Sequence, residues 1–128
     1  MKAVDTNILV RLVIEDDDEQ VLRALAFCAQ GVLVPLSVAM ETEWVLRSRA
    51  KLGREDISRY MLAFMNSTNF HFDREKGLRW VIDRYNKGAD FADMIHLIDA
   101  QDADAFATFD ENVAKDAGST SPLPVIAI

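Results

Sequence analysis

Short apolar segments alternate with helical patterns along the whole chain, and this alternation constrains the fold more than any other feature. The segments that favour strands are MKAV, VLVP, FHF, AFAT and VIAI. Between them lie stretches with apolar residues at helical spacing, such as REDISRYMLAFMNS. Parallel strands need crossover connections, which are usually helices. The pattern therefore predicts an α/β fold in which a parallel sheet is sandwiched by helices.

The size and composition of the chain predict one domain, spanning residues 1–128, with a sizeable apolar core. The chain has 128 residues, of which 50% are hydrophobic, and typical domains have about 100–150 residues. No apolar run approaches the roughly 18 residues of a membrane span, and the N-terminus lacks a signal-peptide pattern. Cys28 is the only cysteine, so we expect no internal disulfide, a cytoplasmic location and a thiol that packs in the core.

The charge balance restricts the possible partners. The formal net charge is −7, whereas proteins that bind nucleic acid mainly by neutralising phosphates are usually basic. This argues against a sequence-reading DNA-binding protein. It does not exclude a nuclease, because the carboxylates that hold catalytic metal ions concentrate negative charge.

Two aspartates stand directly after predicted strands. Asp5 follows the first strand, and Asp110 follows the segment AFATF. Because the carboxyl ends of parallel strands lie at one edge of a sheet, both side chains are expected at the same crevice. Each aspartate is equally suited to cap the helix that follows it, so the position alone leaves the cap and site interpretations open.

Glu41 and Glu43 lie in the predicted helix SVAMETEWVLRSRAKLG. Arg47 follows Glu43 at the spacing of a favourable helical ion pair, which is a sufficient structural role for Glu43. The neighbours of Glu41 at helical spacing form a largely apolar face, and they are Ser37, Val38, Trp44 and Val45. A carboxylate buried there needs a metal, a cation or several donors. Glu41 is therefore the favoured site residue.

Asp93 also lies on a partly apolar helix face. An alternative is purely structural, because Asp90 could be the N-cap of this helix and Asp93 the acidic residue of a variant capping box. The sequence leaves these two interpretations open.

The combination of acids favours a site for a hard metal ion. Several carboxylates in one cleft cannot all stay ionised without cations, and oxygen ligands suit Mg²⁺ or Mn²⁺. The two histidines stand far apart and form no zinc motif with cysteine. The chain also lacks a glycine-rich phosphate loop and a serine motif for acyl transfer.

Four segments together resemble the acidic motifs of PIN domains, in the order that family shows them. They are VDTNILVRLVIEDD, VPLSVAMETEWVLRS, GADFADMIHLIDA and ATFDENVAK. The similarity to the VapC-type toxin ribonucleases is close. It implies that the catalytic metal ligands are Asp5, Glu41, Asp93 and Asp110. Asp90 matches a further acid that could also bind metal, and Thr6 and Thr108 match polar positions that support the site.

The resemblance further implies a Rossmann-like, three-layer sandwich with a central parallel sheet of four or five strands. It implies an endoribonuclease that uses Mg²⁺ or Mn²⁺, a homodimer, and inhibition by a cognate VapB-type antitoxin. The candidate contacts to RNA phosphate are Arg11, Arg47, Arg49 and Lys51, since RSRAK is the densest basic patch. The alternative for this patch is a basic helix C-terminus that complements the helix dipole.

Three other functions are less consistent with the sequence than a ribonuclease. A catalytically inactive PIN-like interaction module is opposed by the complete set of acids. A receiver-like signalling domain would need an acidic pair after the first strand and a lysine after the last, and neither is present. A phosphatase with a D-x-D nucleophile is disfavoured because Asn7 occupies the position of the second aspartate.

Overall fold

The computed structural model describes all residues 1–128 as an alternation of helices and strands. The strands are β1 (Lys2–Ala3), β2 (Val32–Val34), β3 (Phe70–Phe72), β4 (Phe106–Thr108) and β5 (Val125–Ala127). The helices are α1 (Thr6–Ile14), α2 (Asp18–Cys28), α3 (Leu36–Ser48), α4 (Arg54–Asn66), α5 (Glu75–Asn86), α6 (Phe91–Asp99) and α7 (Glu111–Ala117). None of the helices combines the length and the hydropathy needed to cross a bilayer.

All strand pairs are parallel, which confirms the predicted α/β class. Strands β1, β2 and β3 pair in that order, and β4 pairs with β5. The hydrogen bonds thus divide the five strands between a three-stranded and a two-stranded sheet. The chain packs as two compact units, residues 1–75 and 76–128, each with one of these sheets. The assignment of residues 1–128 to a single domain stays a prediction.

The first unit is built around β2 and α3. Val32 and Val34 are fully buried, whereas Leu33 between them is partly exposed, as alternation along a strand requires. Helix α1 packs on α2 and α3, and α4 packs on α3 and β3. Helix α3 is therefore held on two sides within this unit, which fixes the direction of its remaining side chains.

The second unit is built around α6. The buried residues of this helix are Phe91, Met94, Ile95, Leu97 and Ile98. Tyr85 of α5 packs edge-on against Phe91, with ring centroids 5.2 Å apart. Helix α5 approaches closely at Gly77, where a Cβ would lie 3.2 Å from the Ile98 side chain. This packing holds the N-terminal turn of α6 in place.

Helix α3 is shorter than its sequence pattern predicts. The pattern continues to Gly53, but the helix ends at Ser48. The chain then turns back, because the Leu52 N–H donates to the Leu46 carbonyl at 3.0 Å and Lys51 adopts a φ of 59°. A left-handed residue is the usual helix terminator, but it is usually glycine. Because a lysine and not a glycine occupies this position, the sequence pattern did not predict the end of the helix.

Cys28 lies in the core at 2% exposure, which confirms the predicted packing role. Its burial raises the pKa of the thiol, so the reactive thiolate is disfavoured.

Candidate metal-binding carboxylates

Asp5 lies at the carboxyl end of β1 and caps helix α1. The Val4 N–H donates to the Leu33 carbonyl at 3.1 Å, so pairing with β2 continues up to this aspartate. Asp5 Oδ1 accepts a hydrogen bond from the Ile8 N–H at 3.3 Å. The cap interpretation is therefore confirmed for Asp5. The cap uses only one carboxylate oxygen, and the side chain is exposed.

Glu41 is hydrogen-bonded to the residue that follows Asp5. The Thr6 hydroxyl donates to Glu41 Oε1 at 2.5 Å, and Thr6 is itself only 6% exposed. This contact joins the first residue of α1 to the second turn of α3. Asp5 and Glu41 are therefore brought to the same edge of the sheet within the first unit.

The two glutamates of α3 differ in burial, and Glu41 does not lie on a buried face as was expected. Glu41 is exposed, beside the exposed residues Ser37 and Trp44, so the expectation of a buried face was wrong. Glu43 is 3% exposed and accepts a hydrogen bond from Arg47 Nε at 2.8 Å, which confirms the predicted ion pair. The buried face of the helix includes Glu43 because its charge is matched by Arg47. The assignment of Glu41 now depends on its contact with Thr6 rather than on burial.

Asp90 and Asp93 lie at the start of α6. Asp90 Oδ1 accepts from the Asp93 N–H at 2.9 Å, so the cap interpretation is confirmed for Asp90. The pKa of Asp93 is raised, first by burial and then by the neighbouring charge of Asp90. The charges of Asp110 and Asp116 raise this pKa further, whereas that of His96 lowers it. A nearby cation would therefore stabilise the ionised form of Asp93.

Asp110 begins α7 and is fixed by two local hydrogen bonds. Its Oδ1 accepts from the Asn112 N–H at 2.8 Å, which confirms the cap interpretation. Its own N–H donates to the Thr108 hydroxyl oxygen at 3.0 Å, at the end of β4. Phe109, between these residues, is 84% exposed. This exposed aromatic residue was not among those predicted from the sequence.

The candidate carboxylates form no ion pair, a feature that they share with other acids of the chain such as Glu15 and Asp104. Other acids accept from nearby cations, in the pairs Arg11–Asp16, Arg47–Glu43, Arg59–Asp56 and Lys87–Asp83. No ion pair is formed by the candidate carboxylates, which are Asp5, Glu41, Asp90, Asp93 and Asp110. Their negative charge is therefore left for another cation.

The donor set fits a hard divalent cation, since it consists of carboxylate oxygens alone. Asp5 and Glu41 belong to the first unit, and Asp90, Asp93 and Asp110 belong to the second. Within neither unit do three or more His, Cys, Asp or Glu side chains form a group able to hold a metal ion. A metal site made from these acids is therefore a proposal and not an observed centre.

The predicted RNA-binding cations lie in the first unit, in different local surroundings. Arg11 pairs with Asp16 at 2.5 Å, and Arg47 pairs with Glu43. Arg49 follows the last residue of α3, and its guanidinium lies 5.6 Å from the centroid of the Trp44 ring. Lys51 is exposed in the turn that follows. Two of these cations are therefore already engaged by carboxylates.

A groove of about 330 Å³ lies between α1 and α2. Its lining residues are Asn7, Ile8, Arg11, Gln20, Arg23, Ala24 and Phe27. A second hollow of about 350 Å³ shares Ile8 and Phe27 with it and extends to Asp5. A groove with two arginines in its lining therefore adjoins the hollow at the first candidate carboxylate.

We predict that Asp90→Asn lowers the pKa of the Asp93 carboxyl group in metal-free protein. Asparagine keeps the helix cap but removes the negative charge that helps to raise this pKa. A carboxyl group whose pKa is higher in the folded state than in the unfolded state binds its proton more tightly when the protein is folded. The free energy of unfolding therefore falls as the pH rises from the unfolded-state pKa through the folded-state pKa. The measurement is a carbon-detected NMR titration, with Asp104→Asn as the control. An unchanged pKa in Asp90→Asn would contradict the assigned electrostatic cause.

Comparison with known families adds an independent finding. The PIN domain family matches residues 2–118 of the chain. No curated protein and no solved structure matches significantly. PIN domains are typically metal-dependent nucleases, in agreement with a set of carboxylates that lack cationic partners. The chain belongs to the PIN-domain family.

Proposed function

We propose that this protein is a metal-dependent endoribonuclease and the toxin of a VapC-type toxin–antitoxin pair. The observation that carries the proposal is the Thr6–Glu41 hydrogen bond of 2.5 Å, which anchors a carboxylate without an ion pair to the residue that follows Asp5 in a PIN-family chain. A glutamate needed only for solubility has no reason to be anchored by a nearly buried hydroxyl group. The predicted ligand Glu41 is thus a positioned group.

The proposed ligands of one or two Mg²⁺ or Mn²⁺ ions are Asp5, Glu41, Asp93 and Asp110, with Asp90 as an auxiliary acid. When bound, such ions supply a water of lowered pKa and offset charge on the leaving oxygen of the phosphodiester. The protein contributes negative charge that has no Lys or Arg partner. Its acids therefore favour cation binding before RNA arrives.

Local hydrogen bonds orient these acids in advance. The Ile8 N–H holds one oxygen of Asp5, and the Thr6 hydroxyl holds one oxygen of Glu41. Thr108 fixes the backbone of Asp110 through its hydroxyl oxygen. Ligands whose orientation is fixed beforehand lose less conformational freedom when a metal binds. The hydrogen bonds of the Thr6 and Thr108 hydroxyl groups support the proposed roles of these two residues in orienting the acids.

Water is the proposed nucleophile. Cys28 is buried, and its raised thiol pKa opposes formation of a thiolate. Attack by water on phosphorus with departure of the 3′ oxygen leaves the phosphate on the 5′ side of the downstream fragment. The proposed reaction thus requires no covalent enzyme intermediate.

We further propose that the protein acts in the cytoplasm as a homodimer and is inhibited by a VapB-type antitoxin. The lining of the groove between α1 and α2 includes the apolar side chains of Ile8, Ala24 and Phe27, and the groove shares Ile8 and Phe27 with the hollow at Asp5. An apolar antitoxin segment would occupy this groove and extend a basic side chain toward the carboxylates. This arrangement would block the access of RNA to the carboxylates and would also neutralise their negative charge.

The antitoxin proposal predicts that saturating cognate antitoxin abolishes cleavage by the purified protein. The measurement is a titration of antitoxin against the initial rate of RNA cleavage at fixed Mn²⁺. A non-cognate antitoxin of similar charge serves as the control. Unchanged cleavage at saturation would contradict inhibition by this partner.

We predict that Asp5→Asn lowers RNA cleavage by roughly 100-fold or more, because it removes a charged metal ligand. The matched control is Asp17→Asn, since Asp17 caps α2 through a hydrogen bond from the Gln20 N–H at 3.1 Å. Asparagine is as good an N-cap as aspartate, so both variants should keep their stability within about 0.5 kcal/mol. Activity is measured with Mn²⁺, and stability is measured by urea unfolding.

The two variants separate a helix cap from a metal ligand. Loss of cleavage in Asp5→Asn with normal stability, and full cleavage in Asp17→Asn, is the expected result. Equal cleavage by Asp5→Asn and wild type would refute the metal-site assignment. A wild-type protein without activity would instead favour the inactive PIN-like module.

A further inference from the structure

Trp44 is an exposed aromatic residue on an otherwise well-packed helix. Its relative exposure is 47%, although burial of an indole is strongly favourable. Trp80, the other tryptophan, instead donates its Nε1–H to the Thr120 hydroxyl oxygen at 2.9 Å. Trp44 thus presents a large π-surface to solvent, and neither the core nor the proposed metal ligands account for it.

Arg49 lies against the Trp44 ring. The guanidinium carbon is 5.6 Å from the ring centroid, within the roughly 6 Å range of cation–π contacts. The turn that carries Arg49 is fixed by two hydrogen bonds, Ala50 N–H to Val45 O at 3.2 Å and Leu52 N–H to Leu46 O at 3.0 Å. The backbone of this turn is therefore fixed, and the guanidinium lies against the indole.

The surrounding segment is basic in an acidic protein. From Trp44 to Arg54 the sequence WVLRSRAKLGR contains four basic residues and no acidic residue, whereas the whole chain has a net charge of −7. Glu43 already engages Arg47, so Arg49 and Lys51 remain to attract a phosphate beside the indole. Because an acidic surface repels phosphate, RNA should approach the protein at such a local excess of positive charge.

The backbone at Lys51 is left-handed, as it also is at Glu15 and Arg74. Its φ of 59° lies in the left-handed region, where glycine would be unstrained. Attraction to the helix dipole explains a cation near the end of α3. It does not explain why an exposed indole lies against Arg49.

Trp44 also lies close to a proposed metal ligand. Glu41 and Trp44 are both exposed and are separated by three positions along α3, which is about 4.5 Å of rise. An RNA strand with one phosphate at the proposed metal-binding carboxylates would place a neighbouring base near the Trp44 ring. Unpaired bases stack on tryptophan and on arginine planes, whereas bases in a duplex are already stacked.

We propose that Trp44, Arg49 and Lys51 form a stacking platform for an unpaired base and the adjoining phosphates of single-stranded RNA. The inference rests on the proposed function for its substrate class. Trp44 and Arg49 contact the base, and Lys51 contacts the backbone. The platform selects single-stranded over duplex RNA.

The first test uses the fluorescence of Trp44 in metal-free protein, where cleavage cannot interfere. Trp80→Phe leaves Trp44 as the only tryptophan, and Trp44→Phe leaves only Trp80. Addition of an oligouridylate octamer at low salt should quench the first variant and not the second, with circular dichroism confirming that both are folded. Absence of quenching in Trp80→Phe, or equal quenching in both variants, would overturn the platform.

The second test separates binding from chemistry. Trp44→Ala should raise the KM for a single-stranded RNA about tenfold, as expected for loss of one stacked base, with kcat changed less than about twofold. Trp44→Phe should restore most of the affinity, and the control Tyr60→Ala, at another exposed aromatic residue, should leave KM unchanged. Normal cleavage with an unchanged KM in Trp44→Ala would overturn the platform and leave the proposed function intact. Quenching by RNA without any cleavage would retain the platform and refute the ribonuclease.

Lys51→Gly distinguishes RNA binding from a dipole effect. It relieves the backbone strain and removes the cation, so we expect equal or higher stability in urea and weaker binding of the octamer. Lower stability with unchanged binding would assign Lys51 to the helix end and overturn its role in the platform. Equal quenching of Trp44 by a polyglutamate peptide would show a general polyanion site and overturn base stacking.

Discussion

The hydrogen bond from Thr6 to Glu41 is the contact on which the proposed site depends. It joins the start of α1, directly after β1, to the second turn of α3, which follows β2. Parallel pairing of β1 with β2 brings these two segments to the same sheet edge. The hydroxyl then fixes one oxygen of Glu41 beside Asp5. Without that pairing, the first two acidic motifs would remain separate features of the sequence.

Capping and metal binding are compatible roles for the same aspartates. Asp5, Asp90 and Asp110 each accept a backbone N–H through one carboxylate oxygen at the start of a helix. The cap fixes the side chain and leaves another oxygen for a cation. An asparagine would serve the helix equally well but would carry no charge. Capping therefore does not preclude the proposed metal binding by the same aspartates.

Much of the fold and part of the site could be predicted from local patterns. The order of strands and helices, the three aspartate caps and the Glu43–Arg47 pair all follow from short-range spacing. The exposure of Glu41 was not predicted, because its neighbours at helical spacing suggested a buried face and its hydrogen-bond partner Thr6 lies far away in the sequence. The end of α3 was hidden by Lys51, which adopts a backbone conformation usual for glycine. Division of the strands into two hydrogen-bonded sheets depends on long-range pairing, which local spacing does not specify.

In the proposed function, water cleaves the RNA backbone with the help of metal ions held by the carboxylates. The test is mass spectrometry of the RNA fragments made by purified protein, with Mn²⁺ and with a chelator in parallel. Hydrolysis of this kind predicts downstream fragments with 5′-phosphate ends and upstream fragments with 3′-hydroxyl ends, and no fragments in chelator. Fragments with 2′,3′-cyclic phosphate ends, formed by the RNA's own 2′-hydroxyl group without metal, would contradict it.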